Sequence, residues 1–316
     1  MPLHSIVMPV YNGERYLAES IRSVLDQDCA DLELIVVDDC SSDRSTDIVQ
    51  EFAAHDARVR PASTAINSGG PAMPKNVGLA LARGEFVSFC DQDDVLLPHK
   101  LARASGVFAS FPQLDLVFFD FRPFSALGGT QQPYLAGKKF TEVASSYLEP
   151  AGGDVYLCRN YWGCMAGLHM GISTQTVVCR RALLDGRRFD TRFRIVDDIA
   201  LWHRVAETAR IAFVNQPVAL YRDHEQALTG DSALLSRETV AFHRENYFRQ
   251  RHLFSAEENR RYRQMLACFF VRNASLPELS ELEKRSHLLQ SLLFDFRFRT
   301  LRWFLRTFAA KQRHAR

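Results

Sequence analysis

The sequence predicts an α/β fold: a mainly parallel sheet with helices on both faces, followed by a helical carboxyl-terminal extension. Three observations predict it. Short apolar runs alternate with helix-period segments from Leu3 to about Ser110, the mark of parallel strands joined by crossover helices. Acidic residues stand where these runs end, at Asp38 and Asp39, Asp91 and Asp93, and Asp120. In an open α/β sheet such strand ends line one crevice. After about Gly230 the strand-like runs give way to Arg-rich helical spacing. The expected division is therefore a domain over 1–228 and a helical extension over 229–316.

Each element has its own signal. Leu3 to Val10 and Leu32 to Val37 are apolar runs of strand length, and Arg58 to Ala62 is a weaker third. Between them, Glu14 to Asp26 places Tyr16/Leu17, Ile21 and Val24/Leu25 at a helical period. Ser41-Ser42-Asp43 supplies turn and cap residues for a helix over about 45–55. Asn67 to Pro71 reads as a flexible loop, and Ala72 to Ala82 as a helix closed by Gly84. Phe86 to Cys90 is a buried strand, Pro98 opens a helix to about Ser110, and Leu114 to Phe121 is another strand. From Arg122 to about Tyr161 the rhythm stops and Gly and Pro punctuate an irregular segment. Thr174 to Cys179 resumes as a strand, about 198–209 is a helix, and Ile211 to Val214 and Val218 to Tyr221 read as two short closing strands. The extension reads as helices over 232–254, 256–271 and, with breaks, 279–308.

Composition narrows the class. A chain of 316 residues, 47% hydrophobic and 24% charged, has globular values. A net charge of +2 calls for no nucleic acid. Seven cysteines without a CxxC pair argue against a disulfide framework or a zinc ribbon, and for a reducing compartment. No signal peptide or membrane-spanning run is read, so the expected location is cytoplasmic.

The densest chemistry is Asp91-Gln92-Asp93-Asp94, directly after a buried strand. Carboxylates packed this closely repel unless something offsets their charge. Hard oxygen ligands suit Mg²⁺ or Mn²⁺, and at a strand end the companion of such a cation is a phosphate-bearing ligand. Two readings are open on these residues alone: a cation site on Asp91 and Asp93, or a solvated acidic turn with Asp94 as a cap.

The motif order carries a resemblance. Ser5-Ile-Val-Met-Pro-Val-Tyr-Asn12, Val36-Val-Asp-Asp-Cys-Ser-Ser-Asp43, Lys75-Asn-Val-Gly78 running into Asp91-Gln-Asp-Asp94, then Asp197-Asp-Ile-Ala-Leu-Trp202 and Tyr221-Arg-Asp-His224 together resemble the family 2 glycosyltransferases of the GT-A fold. The resemblance implies an inverting, metal-dependent sugar transferase using a nucleotide-sugar donor, UDP by family habit, in surface polysaccharide assembly. It implies donor contacts from Pro9, Tyr11, Asn12, Asp39, Lys75, Asp91 and Arg222. It sets Asp93 and His224 against Mn²⁺ or Mg²⁺ on the diphosphate. Asp198 matches the family's base, while Asp197 stands where Glu is usual. Lys75 stands where Arg is more common. Asp197, Trp162 and His169 fall where acceptor contacts are expected, the acceptor being a glycan or a lipid-linked glycan.

Two other classes are weighed. A nucleotidyltransferase wants a Gly-rich phosphate loop after the first strand, and Tyr11-Asn12-Gly13-Glu14-Arg15 offers one glycine. A non-catalytic sugar-nucleotide scaffold has no need of Asp91, Asp93 and Asp198 together. The carboxyl-terminal stretch from His287 carries seven Lys or Arg against one Asp, interleaved with Leu, Phe and Trp. It suits peripheral contact with the inner face of the cytoplasmic membrane, or packing on the domain or in a homo-oligomer.

Overall fold

The computed structural model describes residues 2–125, 131–168, 172–277, 279–296 and 300–305. The chain divides into two compact units, Met1–Ala227 and Leu228–Arg316.

Alternation within strands explains the layers of the first unit. β1 (His4–Val10) pairs in parallel with β2 (Leu32–Asp38), which pairs in parallel with β3 (Val59–Ser63). Ile6, Met8 and Val10 turn to one face with Leu34 and Val36, where they pack on Leu17, Ile21 and Val24 of α1 (Leu17–Leu25) and Val49 of α2 (Ser45–His55). Val7 and Val37 turn to the other face. There α3 (Ala72–Leu81) approaches so closely that a side chain at Gly78 would collide with Val7. Helices thus cover both faces, as the alternating rhythm predicts.

β4 (Phe86–Phe89) pairs in parallel with β1 on the side away from β2. The two-residue β5 (Val95–Leu96) and α4 (Lys100–Ser110) follow, then β6 (Leu116–Ser125). β9 (Val177–Arg180) runs antiparallel between β4 and β6. β10 (Ile211–Asp223) pairs in parallel with β6. The predicted parallel core is present in β3-β2-β1-β4 and in the β6–β10 pair, and the far edge is antiparallel.

Three expectations change here. The two short closing strands are one strand, β10, which keeps pairing with β6 through register shifts around Pro217. Proline cannot donate to the ladder, so a bulge accommodates it. The segment expected to be irregular holds two single-turn helices, α5 (Tyr134–Gly137) and α6 (Phe140–Val143), a hairpin of β7 (Leu148–Gly152) and β8 (Val155–Cys158), and α7 (Tyr161–Leu168). Finally, Asp120 lies within β6 rather than at its end. Its carboxylate accepts from the backbone of Phe121, Leu135 and Ala136 at 2.7, 2.8 and 2.9 Å, tying α5 to the strand.

α8 (Asp197–Val205) precedes β10, and its first two residues are acidic, which suits a helix amino terminus. The second unit is helical: α9 (Ser232–Gln250), α10 (Ala256–Ala274) and α11 (Glu281–Phe294). Ser255 with Glu258 and Ser280 with Glu283 form reciprocal capping boxes that fix where α10 and α11 start. The predicted last helix divides at Asp295; residues 300–305 are again helical, and 297–299 and 306–308 lie outside the described residues.

Candidate active site

The carboxyl ends of β1, β2 and β4 meet. Register pairs Val10 with Asp38, so the turns after β1 and β2 lie side by side. The Asn12 amide donates to Ser41 Oγ at 2.9 Å, and Asn12 Oδ1 accepts from the Ser42 amide at 2.8 Å. Asn12 takes φ 48°, a conformation that Asn tolerates better than most residues. Asp39 is buried, and its carboxylate is aimed by three donors. Thr64 Oγ1 reaches one oxygen at 2.7 Å, and Ser68 reaches the other with its amide at 3.0 Å and its hydroxyl at 2.8 Å. The loop read as flexible is therefore fastened at Ser68. Pro9 is buried in β1 and Tyr11 is exposed.

The acidic turn after β4 is locked to the same place. Gln92 Oε1 accepts from the Tyr11 amide at 2.7 Å and its Nε2 donates to the Tyr11 carbonyl at 3.0 Å. A Cβ at Gly13 would stand 2.5 Å from Gln92 Oε1, so the glycine leaves room for this clamp. Asp93 meets His224: Nε2 and Oδ2 are 2.9 Å apart, while His224 Nδ1 is buried without a partner. No cluster of three or more His, Cys, Asp or Glu suited to a metal occurs among the described residues. The protein thus offers a carboxylate and an imidazole at one point. That small set fits Mg²⁺ or Mn²⁺, which fill remaining positions with substrate phosphates and water.

Arg222 has a different place from the expected one. Its guanidinium is buried between Tyr16 and Phe124, 4.4 and 4.5 Å from the ring centroids, and donates to Glu19 at 2.6 Å and to the Asp93 carbonyl at 2.7 Å. The Arg222 amide donates to Asp94 Oδ1 at 3.0 Å. The residue anticipated as a diphosphate contact is engaged in holding the acidic turn. Burial, with the charges of Asp93 and Asp91 adding, pushes Asp94 well above the carboxylate range.

Lys75 joins the two sides. Its ammonium is buried, 3.2 Å from Asp197 Oδ2 and 4.0 Å from Asp91 Oδ1, with the Phe189 ring 5.3 Å away. Burial works against this charge, but Asp197, Asp91 and Asp198 hold the lysine pKa above its ordinary value. Burial also lifts Asp91 and Asp197, with Asp198 adding and Lys75 opposing. Asn76, next in α3, pairs with the Phe189 backbone through donor and acceptor at 2.9 and 2.8 Å. Asp198 is held otherwise. Its Oδ2 accepts from Thr174 Oγ1 at 2.8 Å and the Thr174 amide at 3.3 Å, and its Oδ1 from the Ile199 amide at 2.6 Å.

The structure therefore connects Tyr11 to the acidic turn, and Asp91 to Asp197 through Lys75. Trp162 is packed inside, its ring 4.7 Å from His203 and 5.5 Å from Tyr161, which is a core position rather than an open acceptor surface. His169 lies outside the described residues. Sequence reasoning missed Thr64, Ser68, Gln92 and Thr174. All four orient carboxylates or turns from elsewhere in the chain, so no local pattern marks them; only Gln92, between two acids, has a hint.

Comparison with known proteins agrees with this architecture. The family model described as "Glycosyl transferase family 2" matches residues 5–125. An uncharacterized glycosyltransferase of Haemophilus influenzae is 44% identical over 103 residues, covering 33% of this chain and 41% of that protein. Glycosyltransferase GlyG of Streptococcus pneumoniae is 29% identical over 229 residues, covering 70% of each. The match to the poly(ribitol-phosphate) β-N-acetylglucosaminyltransferase TarS of Staphylococcus aureus covers only 18% of that protein, so the chain matches less than half the length of the first curated relatives. Among solved structures, a TarS fragment with UDP-GlcNAc superposes with a TM-score of 0.60 at 20% identity, covering 93% of this chain and 89% of that one. The mannosyltransferase PcManGT of Pyrobaculum calidifontis, with GDP-Man and Mn²⁺, gives 0.57 at 17% identity, covering 98% and 86%. The match over residues 5–125 and the likeness to solved glycosyltransferase structures together support a family 2 glycosyltransferase.

Proposed function

We propose that this protein is an inverting glycosyltransferase that moves a sugar from a nucleoside diphosphate donor, a UDP-sugar, to a hydroxyl of a glycan or lipid-linked acceptor in surface polysaccharide synthesis. One observation carries the reading: Lys75 lies within reach of both Asp91, after β4, and Asp197, at the start of α8. A donor-side and an acceptor-side carboxylate thus share one cation.

The roles proposed here are those the family resemblance implies, and the geometry supports them. Asp39, aimed by Thr64 and Ser68, accepts an N–H from the base, and Pro9, Tyr11 and Asn12 flank the nucleoside. Asp93 and His224 would hold Mn²⁺ or Mg²⁺; when bound, such an ion neutralises the diphosphate and makes it a better leaving group. Lys75 engages Asp197, which leaves Asp198 as the base. Asp198 takes the acceptor hydroxyl proton while the oxygen forms its bond to the anomeric carbon. The bond from that carbon to the diphosphate oxygen breaks, and the nucleoside diphosphate departs with the electron pair. Thr174, donating to Asp198 Oδ2 from its hydroxyl and its amide, keeps the base oriented. UDP-GlcNAc in the TarS fragment supports a UDP donor, and Mn²⁺ in PcManGT supports the ion.

Asp198→Asn tests this. Transfer should fall by about a thousandfold or more, with donor binding retained and nucleoside diphosphate, not pyrophosphate, as the wild-type product. Unchanged turnover would remove Asp198 from the mechanism; pyrophosphate release would indicate nucleotidyl transfer.

A further inference from the structure

The strongest unassigned feature is a buried lysine close to the acidic turn. Lys100 opens α4 and is fully buried. Gln27, just beyond α1, pins the start of that helix. Its Nε2 donates to the Leu97 carbonyl at 2.8 Å, and its Oε1 accepts from the Leu101 amide at 3.2 Å. The Lys100 ammonium donates to the carbonyl of Phe89, the last residue of β4, at 3.3 Å. Among the described residues no carboxylate lies within ion-pair distance of it. Burial presses its pKa down to about 8, while Cys90, Asp91 and Asp94 oppose that fall. Burial pushes Cys90 and Asp94 well above their ordinary ranges. That leaves Asp91 as the charge Lys100 faces. The other cation on Asp91, Lys75 at 4.0 Å, is shared with Asp197 at 3.2 Å.

A buried ammonium with one hydrogen bond costs stability, and a methionine would fill the space without that cost. Packing therefore does not account for Lys100, whereas its charge does. The turn beside it sets Asp91 two residues from Asp93, and like charges so close repel unless a cation is near. The same lysine charge repels a dication arriving at the turn. We propose that Lys100 is a positioning residue: acting through Asp91, it offsets the charge of the acidic turn from inside the fold and so lowers the affinity with which Asp93 and His224 take Mn²⁺ or Mg²⁺. The inference rests on the reading of Asp93 and His224 as the ligands of that ion.

The test is calorimetric titration of the full chain with Mn²⁺, without donor. Lys100→Met should tighten Mn²⁺ binding by about tenfold, because a like charge near the dication is gone. Lys100→Arg keeps the charge and should bind as the parent does. Without Mn²⁺, Lys100→Met should melt no earlier than the parent; should it melt early, Lys100→Gln is titrated in its place. A merely structural lysine gives the opposite sign, since a loosened turn binds Mn²⁺ more weakly. Weaker or unchanged binding in the neutral variant, equal tightening in Lys100→Arg, or early melting of both neutral variants would each overturn the proposal. Asp93→Asn separates the two levels of failure. Binding lost in Asp93→Asn but not tightened in Lys100→Met sinks this inference alone. A parent that binds no Mn²⁺, or binding that survives Asp93→Asn, sinks the reading of the cation site and this inference with it.

Discussion

Two halves of the first unit make their parts of the site in different ways. From β1 to β4, regular strand–helix units carry Asp39, Asp91 and Asp93 past the strand ends. The backbone itself delivers them, and short polar clamps such as Gln92 on Tyr11 finish the aim. From β6 to α8, the chain uses single-turn helices, a hairpin and long connections. There Asp197 and Asp198 depend on partners remote in sequence: Lys75 is 122 positions away and Thr174 is 24. On this contrast, positions on regular scaffolding should tolerate the loss of one contact better than positions on irregular chain.

The most severe test of this contrast is Lys75→Met. It leaves Asp197 buried without its cation, a loss of about 3–5 kcal/mol when one partner of a buried pair is removed. Chemical denaturation should show that loss, and Lys75→Met with Asp197→Leu should recover part of it. A loss below about 1 kcal/mol would mean that the pair is solvated and that the acceptor half does not rest on it.

The regular half should govern acid stability. His4 is buried in β1, with Nε2 2.8 Å from Ser105 Oγ and Nδ1 without a partner. Burial, then Lys100, lowers its pKa from 6.5 to about 4, with Asp31 opposing. The sign follows. Between these values the unfolded chain binds a proton that the folded one refuses, so stability falls as pH drops from 6.5 towards 4 and is fully present above 6.5. The window is worth at most about 3 kcal/mol. Melting temperature against pH should flatten across it in His4→Gln relative to the parent.

How far the sequence discloses each half follows the same division. Ile6, Met8 and Val10 alternate with Val7, and Leu17, Ile21 and Val24 recur at a helical period, so strands, helices and the carboxylates between them are legible locally. From Arg122 to about Tyr161, and again at Pro217, that local code fails, whereas α8, α9 and α10 lie close to where their helical spacing puts them. β7 and β8 bury few residues of a continuous run, α5 is held by Asp120 from a distant strand, and Pro217 interrupts the pattern of a strand that nonetheless continues. Arg222 illustrates the limit: its motif is visible, but its direction is set by Tyr16, Phe124 and Glu19, which the motif does not contain.

On the irregular side, Thr174→Val keeps the shape and removes the hydroxyl that holds Asp198 at 2.8 Å. Turnover should fall by about ten- to a hundredfold, with donor KM unchanged and Thr174→Ser restoring most of it. A rise in donor KM alone would move Thr174 out of the base's support and into donor binding.

The smallest effect belongs to the clamp between regular elements. Gln92→Ala removes both of its bonds to Tyr11, and Gly13→Ala removes the space in which the Gln92 amide sits. Each should raise donor KM by about tenfold with little change in turnover, since the strand ends still deliver the carboxylates. Both substitutions break one contact, so the double variant should be no worse than either alone, within about 0.5 kcal/mol of coupling analysis. Additive losses would mean that Gly13 acts through the donor directly, and that the acidic turn is held by β4 and Arg222 without help from Gln92.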